Sequence, residues 1–144
     1  MIEQDTIKLL RECDAGVKMG TKSIDDVLDY VKSEKFKELL NACKDEHNNL
    51  KTQIDEALKN FHDEGKDPNP MAKGMSWMKT NVKLIVDESD NTIADLMTDG
   101  CNMGVKSLNR YLNEYKAADE NSKDIAKRLI NLEEKLTVDI REYL

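Results

Sequence analysis

The sequence predicts an all-α fold, a four-helix bundle of two antiparallel hairpins joined by a long crossover. Four long segments repeat apolar residues at spacings of three and four, which gives each helix one apolar stripe. Patterns typical of strands are scarce, since aromatic residues make up 5% of the chain and no β-branched run alternates with polar residues. The joints within each hairpin are short, as expected for antiparallel neighbours. The length of 144 residues suits a single domain, residues 1–144.

The first hairpin is predicted over residues 6–62. Its first helix runs from about residue 6 to residue 31, and its apolar stripe contains Leu10, Cys13, Val17, Gly20, Ile24, Val27 and Val31. The second helix begins at Ser33, whose hydroxyl is a good N-cap, and ends near residue 62. Its stripe contains one histidine, His47, among Phe36, Leu40, Cys43, Leu50, Ile54, Ala57 and Phe61.

The second hairpin is predicted over residues 91–144. The third helix runs from about residue 91 to residue 116, with a stripe of Ala94, Met97, Cys101, Gly104, Leu108, Tyr111 and Tyr115. The fourth helix begins near Ser122 and continues to residue 144. Its stripe contains one acidic residue, Glu133, among Ala126, Leu129, Leu136, Ile140 and Tyr143.

The crossover occupies residues 63–90. Gly65, Pro68 and Pro70 are expected to stop the second helix. A short extra helix along the bundle is then predicted from the helical spacing of Met71, Met75, Met78, Val82 and Ile85. Together with Trp77, this methionine-rich segment is interpreted as a lid over the bundle or as an adaptable surface for a partner.

The two hairpins share a sequence pattern, G-x-x-M-G-x-K-S-[I/L]-x-x-x-L, at residues 16–28 and again at residues 100–112. Equivalent positions lie 84 residues apart, as Met19 and Met103 do. The second helices also match, since residues 50–58 align with residues 136–144 at a separation of 86. The pattern predicts that the hairpins arose by duplication and pack about a pseudo-two-fold axis.

The repeat places four glycines inside helices, where each costs about 1 kcal/mol relative to alanine. They are Gly16, Gly20, Gly100 and Gly104. One interpretation is that small residues allow the first and third helices to approach closely. The alternative is that the glycines leave space for a bound group.

Composition and motifs exclude several functions. The net charge of −7 disfavours nucleic acid, and no basic amphipathic segment or long apolar run suits a membrane. The first ten residues lack the apolar core of a signal peptide, so we expect a cytoplasmic location. No nucleophile elbow, phosphate loop or dinucleotide fingerprint appears. We therefore expect a protein that is not an enzyme and carries no cofactor.

The phrases MGTKSI, IADLMTDGCNMG and LNEYK, with the two hairpins and the crossover, resemble a group of small bacterial ferritin-like proteins. The resemblance covers nearly the whole chain and implies a ferritin-like bundle. Catalytic ferritin-like proteins take a Glu from each of two helices and a Glu-x-x-His motif from each of the other two. This chain departs from that pattern, because Lys44 lies three residues before His47 and the fourth helix has no histidine. The di-iron site is therefore not carried over.

One pair of polar residues is a candidate site. His47 and Glu133 lie 86 residues apart, so the repeat makes them pseudo-symmetric partners in the middle of the bundle. They are interpreted as a buried hydrogen bond or, alternatively, as two ligands of a mononuclear metal site that Cys101 completes. A third possibility is that the two side chains do not meet. Zinc accepts such a set of nitrogen, oxygen and sulfur ligands. Met19, Met97 and Met103 are read as core residues, with Cu(I) ligands as the alternative.

The three cysteines, Cys13, Cys43 and Cys101, are widely spaced and are expected to be reduced and buried. The preferred function is a structural or protein-interaction module, with a second copy of the chain or another protein as its partner. The alternative is a metal-binding or metal-storage protein with a degenerate centre at His47, Glu133 and Cys101. The sequence identifies no small-molecule ligand.

Overall fold

The structure, a computed structural model, describes residues 2–67 and 89–144, and in these ranges it is a four-helix bundle without strands. The helices are α1 (Ile2–Leu28), α2 (Glu34–Lys59), α3 (Asp90–Glu114) and α4 (Glu120–Asp139). A single turn of 3₁₀-helix, Arg141–Tyr143, follows α4. The all-α bundle predicted from the apolar stripes is therefore confirmed, whereas the predicted extra helix at residues 71–85 lies outside the described residues.

The helix starts follow local capping. The predicted N-cap Ser33 is confirmed, because its hydroxyl accepts a hydrogen bond from the Phe36 backbone N–H at 3.2 Å. Ser89 and Asp119 cap α3 and α4 in the same way. The first helix starts at Ile2, four residues before the predicted start at Thr6.

Hydrogen bonds between hairpins establish the directions of the helices. The Asp90 carboxylate at the start of α3 accepts from the backbone N–H groups of Lys32 and Ser33, which join α1 to α2. At the other end of the bundle, Thr6 Oγ1 near the start of α1 accepts from Asp119 N, just before α4. The start of α3 therefore lies at the end of α1, and α4 starts where α1 starts. The order of directions is up, down, down, up.

The predicted stripes form the core. Among the fully buried large side chains are Leu10, Ile24, Phe36, Leu40, Ile54, Leu129 and Ile140. The ring of Phe36 stacks on that of Tyr143 with centroids 4.5 Å apart, which attaches the end of the chain to the start of α2. None of the helices in the described ranges is both long and apolar enough to cross a membrane.

A buried carboxylate fixes the beginning of the crossover. The side chain of Asp14 in α1 is fully buried and accepts from the Lys66 backbone N–H at 3.0 Å. It also pairs with Lys18 at 2.8 Å and with Lys51 of α2 at 3.2 Å. Gly65 has a φ of 89°, and a Cβ there would lie 2.3 Å from Asp14 Oδ2. The turn after α2 therefore requires glycine both for its conformation and for its contact with Asp14.

Candidate functional site

A cavity of about 360 Å³ lies between α1 and α3, and side chains of α2 and α4 form its floor. Four positions of the repeated pattern line it on both walls. On α1 they are Gly16, Met19, Gly20 and Ser23. On α3 they are Gly100, Met103, Gly104 and Ser107. The pattern that the two hairpins share is therefore the lining of this cavity.

The polar part of the floor is the predicted pair, His47 of α2 and Glu133 of α4. His47 is 2% exposed and Glu133 is 8% exposed. His47 Nε2 lies 3.7 Å from Glu133 Oε1, which is close enough for an ion pair but too long for a hydrogen bond. The structure thus brings the two residues together, as the repeat predicted, but leaves a gap between their polar atoms.

Two of the glycines make room for this pair. A Cβ on Gly20 would lie 2.6 Å from His47 Nε2, and a Cβ on Gly104 would lie 2.3 Å from Glu133 Oε2. Gly16 is different, because its Cβ would meet Leu129 at an ordinary distance of 3.5 Å. Gly20 and Gly104, the second glycine of each copy, therefore leave space for the polar side chain of their own hairpin. This is a packing role that neither interpretation of the glycines described.

The tautomer of His47 follows from its contacts. Nδ1 lies 2.8 Å from the Cys43 carbonyl oxygen, which only accepts, so Nδ1 donates. Nε2 is therefore the nitrogen that gains a hydrogen when the ring is protonated. Nε2 has no hydrogen-bond partner among the described residues. Such a buried, unpartnered polar atom costs about 1–3 kcal/mol.

The pair is electrostatically coupled. Burial acts to lower the pKa of His47, but the contacts with Cys43 and the nearby Glu133 carboxylate outweigh it and raise the pKa to about 10. Burial also raises the pKa of Glu133, and the imidazole partly opposes this. In both cases the folded protein retains a proton that the unfolded chain releases at lower pH.

Cys101, the third predicted ligand, lines the same cavity. Burial and the Glu133 carboxylate raise the pKa of its thiol, so the neutral form is favoured. Cys13, Cys43 and Cys101 are all free and buried, as predicted. No group of three or more His, Cys, Asp or Glu side chains in residues 2–67 and 89–144 is arranged to hold a metal ion. The three predicted ligands share a cavity, and the metal site itself stays a prediction.

Sequence reasoning missed one end of the cavity. Glu12, 8% exposed, forms an ion pair with Lys66, and its other carboxylate oxygen, Oε2, is buried. Tyr111 lies nearby, and burial and Glu12 raise its pKa. A signal existed, because Glu12 precedes Gly16 by four residues and Met19 by seven and so shares the cavity face of α1.

Comparisons with protein families, with curated proteins and with solved structures found no match.

Proposed function

We propose that this protein is a non-enzymatic four-helix bundle that binds a small ligand in the cavity between α1 and α3. The observation that carries the proposal is the buried Nε2 of His47, which lines the cavity and has no hydrogen-bond partner in the described part of the chain. A ligand would supply the missing hydrogen bond and remove the cost of leaving that atom unpaired. The volume, about 360 Å³, lies within the range of small-molecule sites.

The lining supports a binding role. Gly20 and Gly104 give up about 1 kcal/mol of helix stability each relative to alanine and thereby make room for His47 and Glu133 in the floor of the cavity. The same positions line both walls, which supports the proposal that the hairpins arose by duplication. The up-down-down-up order of the helices supports the proposal that the bundle is ferritin-like.

A role as a protein-interaction module remains a proposal with less support. The large exposed apolar residues in the described ranges lie on different elements and include Ile2, Tyr30, Met103 and Val138. A contiguous apolar patch is the usual mark of a protein interface. A dimer or a protein partner is therefore still expected only from the sequence.

Metal binding is the second candidate function. Metal-binding histidines usually donate their other ring N–H to a carbonyl or carboxylate, and His47 Nδ1 donates to the Cys43 carbonyl in this way. Nε2 and Glu133 would be the first two ligands, with Cys101 or water completing the set. This candidate needs Cys101 or another group to move toward the pair, whereas the cavity as it stands can accept an organic molecule.

The test is native mass spectrometry combined with elemental analysis for Fe, Mn, Zn and Cu on protein purified without a tag or chelator. We expect a copurifying organic molecule in the wild type that is lost in His47→Leu. His62→Asn, which removes the other histidine at an exposed turn with a φ of 56°, is the matched control and should retain the molecule. A stoichiometric metal that is lost only in His47→Leu would establish the second candidate instead. Protein that carries no adduct and gains no thermal stability from a small-molecule library would contradict the proposal.

A further inference from the structure

We infer that the ligand of this cavity is a neutral alcohol, a hydroxyl group on an apolar body, and that the hydroxyl bridges His47 Nε2 and the Glu133 carboxylate. The inference rests on the proposed binding function and specifies the chemistry of the ligand.

The pair on the floor of the cavity needs a group that both donates and accepts hydrogen bonds. His47 Nδ1 donates to the Cys43 carbonyl, and the pKa of His47 is about 10, so Nε2 carries a hydrogen at neutral pH. This N–H is a donor with no acceptor at hydrogen-bond distance in the described ranges, and the Glu133 carboxylate beside it is an acceptor. A hydroxyl group accepts from Nε2–H through its oxygen and donates its own hydrogen to Glu133.

The charges of the pair also favour a neutral group. The imidazolium of His47 and the carboxylate of Glu133 balance each other, so the pair as a whole carries no net charge. An ammonium group has no acceptor and would meet the imidazolium, whereas a carboxylate has no donor and would meet Glu133. Moving the proton from His47 to Glu133 reverses both hydrogen bonds, and a hydroxyl group serves that arrangement equally well.

The distance within the pair suits a single oxygen atom. Nε2 and Oε1 are 3.7 Å apart, and an oxygen placed beside the line between them reaches both at about 2.8 Å. A water molecule forms the same two hydrogen bonds, but it fills only about 30 Å³ of a cavity of about 360 Å³. An alcohol keeps both hydrogen bonds and also removes its apolar body from water, which makes it the better occupant.

The walls of the cavity suit that apolar body. Thioethers line both walls, because Met19 of α1 and Met103 of α3 occupy equivalent positions of the repeat. These side chains are flexible and polarizable, so they adapt to irregular shapes. The further large apolar residues of the lining are Ile24, Met97, Leu108 and Leu136.

The remaining charged groups of the lining lie away from the pair. At 1.5 Å per residue, Glu12 lies about 12 Å before Gly20 along α1, and Arg110 lies about 9 Å beyond Gly104 along α3. At that end Lys66 pairs with Glu12, and Arg110 is exposed, with its guanidinium 5.7 Å from the ring centroid of the next residue. A neutral ligand leaves the ion pair intact and Arg110 in water, so neither charge loses its partner or its hydration.

The experiment compares four probes of similar size: 1-hexanol, its isomer methyl pentyl ether, hexylammonium and hexanoate. Each is titrated calorimetrically at pH 7 into the full chain after dialysis against a chelator, so that metal does not compete. We expect hexanol to bind at least about 10-fold more tightly than each of the others, because only its head group both donates and accepts. The ether is the most direct comparison, since it accepts from Nε2–H but has no hydrogen for Glu133.

A matched pair of variants tests the contact with the carboxylate. In Glu133→Met the preference for hexanol over the ether should disappear, because the acceptor of the hydroxyl hydrogen is gone. Glu134→Met, which changes the exposed neighbour on α4, should retain the preference. The comparison of the four probes is made on the wild type, so it stands even if Glu133→Met fails to fold.

The outcomes separate the two proposals. Equal or tighter binding of the ether would overturn the bridging hydroxyl, and equal or tighter binding of hexylammonium or hexanoate would overturn the neutral ligand. Either result would leave the cavity as a binding site. Absence of binding for all four probes would overturn the inferred alcohol, and absence of any copurified molecule as well would overturn the proposed function.

Discussion

At the scale of single residues, the structure gives the repeated glycines different tasks. Gly20 faces the imidazole of His47, and Gly16, one turn earlier, faces only the methyl group of Leu129. An imidazole ring is rigid and here is held by the Cys43 carbonyl, so it cannot move aside easily. The sequence presents the two glycines as equivalent, and only the packing distinguishes them.

This contrast predicts opposite effects of alanine at the two positions. Gly20→Ala should destabilise the protein by roughly 1–3 kcal/mol, because its Cβ would lie 2.6 Å from His47 Nε2. Gly16→Ala should be neutral or stabilise by up to about 1 kcal/mol, because alanine favours the helix and the nearest atom is 3.5 Å away. Urea unfolding of both variants measures the difference. Equal effects would contradict the assigned contact, and adding His47→Ala should abolish the penalty at position 20.

The buried pair of His47 and Glu133 predicts that the stability of the folded protein depends on pH. His47 has a pKa of about 10 in the folded protein and near 6.5 when unperturbed, so between these values only the folded state holds the proton. The stabilisation is complete below pH 6.5 and is lost as the pH rises toward 10, by up to about 1.4 kcal/mol per pH unit. The raised pKa of Glu133 acts in the same direction.

The measurement is the free energy of urea unfolding of the wild type relative to His47→Gln/Glu133→Gln, at several pH values from 7 to 10. The double variant removes both titrating groups and keeps the cysteines, whose titration is then common to both proteins. We expect the relative stability of the wild type to fall with pH. A difference that stays constant or rises would show that the pair does not hold the proton.

At the scale of helices, local sequence determines most of the architecture. The predicted stripe positions are buried or half-buried in α1 to α4, because a spacing of three and four places them on one face. The predicted ends of the helices are less accurate than the predicted stripes. Residues 29–31, predicted as helix, form the turn in which Val31 N donates to Leu28 O, and His62 adopts a φ of 56° beyond the end of α2. Helix ends depend on whether the next element supplies hydrogen-bond partners for the backbone N–H and C=O groups that have none within the helix.

The buried carboxylate of Asp14 is a feature that the sequence of a single helix does not predict. Asp14 was not predicted to be buried, since a short acidic side chain inside a helix is usually on the surface. Its burial depends on two lysines and a backbone N–H from α1, α2 and the turn after α2. Such a partnership joins residues 14 and 66, which only the folded chain brings together.

At the scale of the whole molecule, the two hairpins offer matched environments to residues 47 and 133. His47 faces Gly20 and Glu133 faces Gly104, which is the second glycine of the repeated pattern in each hairpin. The exchange His47→Glu/Glu133→His should therefore fold with a stability within about 1.5 kcal/mol of the wild type. Either single change removes the opposite charge from a buried partner and should cost roughly 3–5 kcal/mol.

Urea unfolding of the two single variants and the exchanged variant tests this symmetry. Recovery of stability in the exchanged variant would show that the two sites are interchangeable. If the exchanged variant is less stable than both single variants, the environments differ and the pseudo-symmetry of the cavity floor is wrong.

The sequence by itself determined the helices, their apolar stripes, the caps such as Ser33 and the pairing of His47 with Glu133, because these depend on spacing along the chain and on an internal repeat. Only the tertiary structure decided that the repeated glycines, methionines and serines line one cavity, that Glu12 faces it and that Nε2 of His47 lacks a hydrogen-bond partner among the described residues. The physical reason is that a cavity and an unpaired atom are properties of the space between helices. That space is set by the lengths and directions of side chains from four helices at once, which spacing along a single helix does not specify.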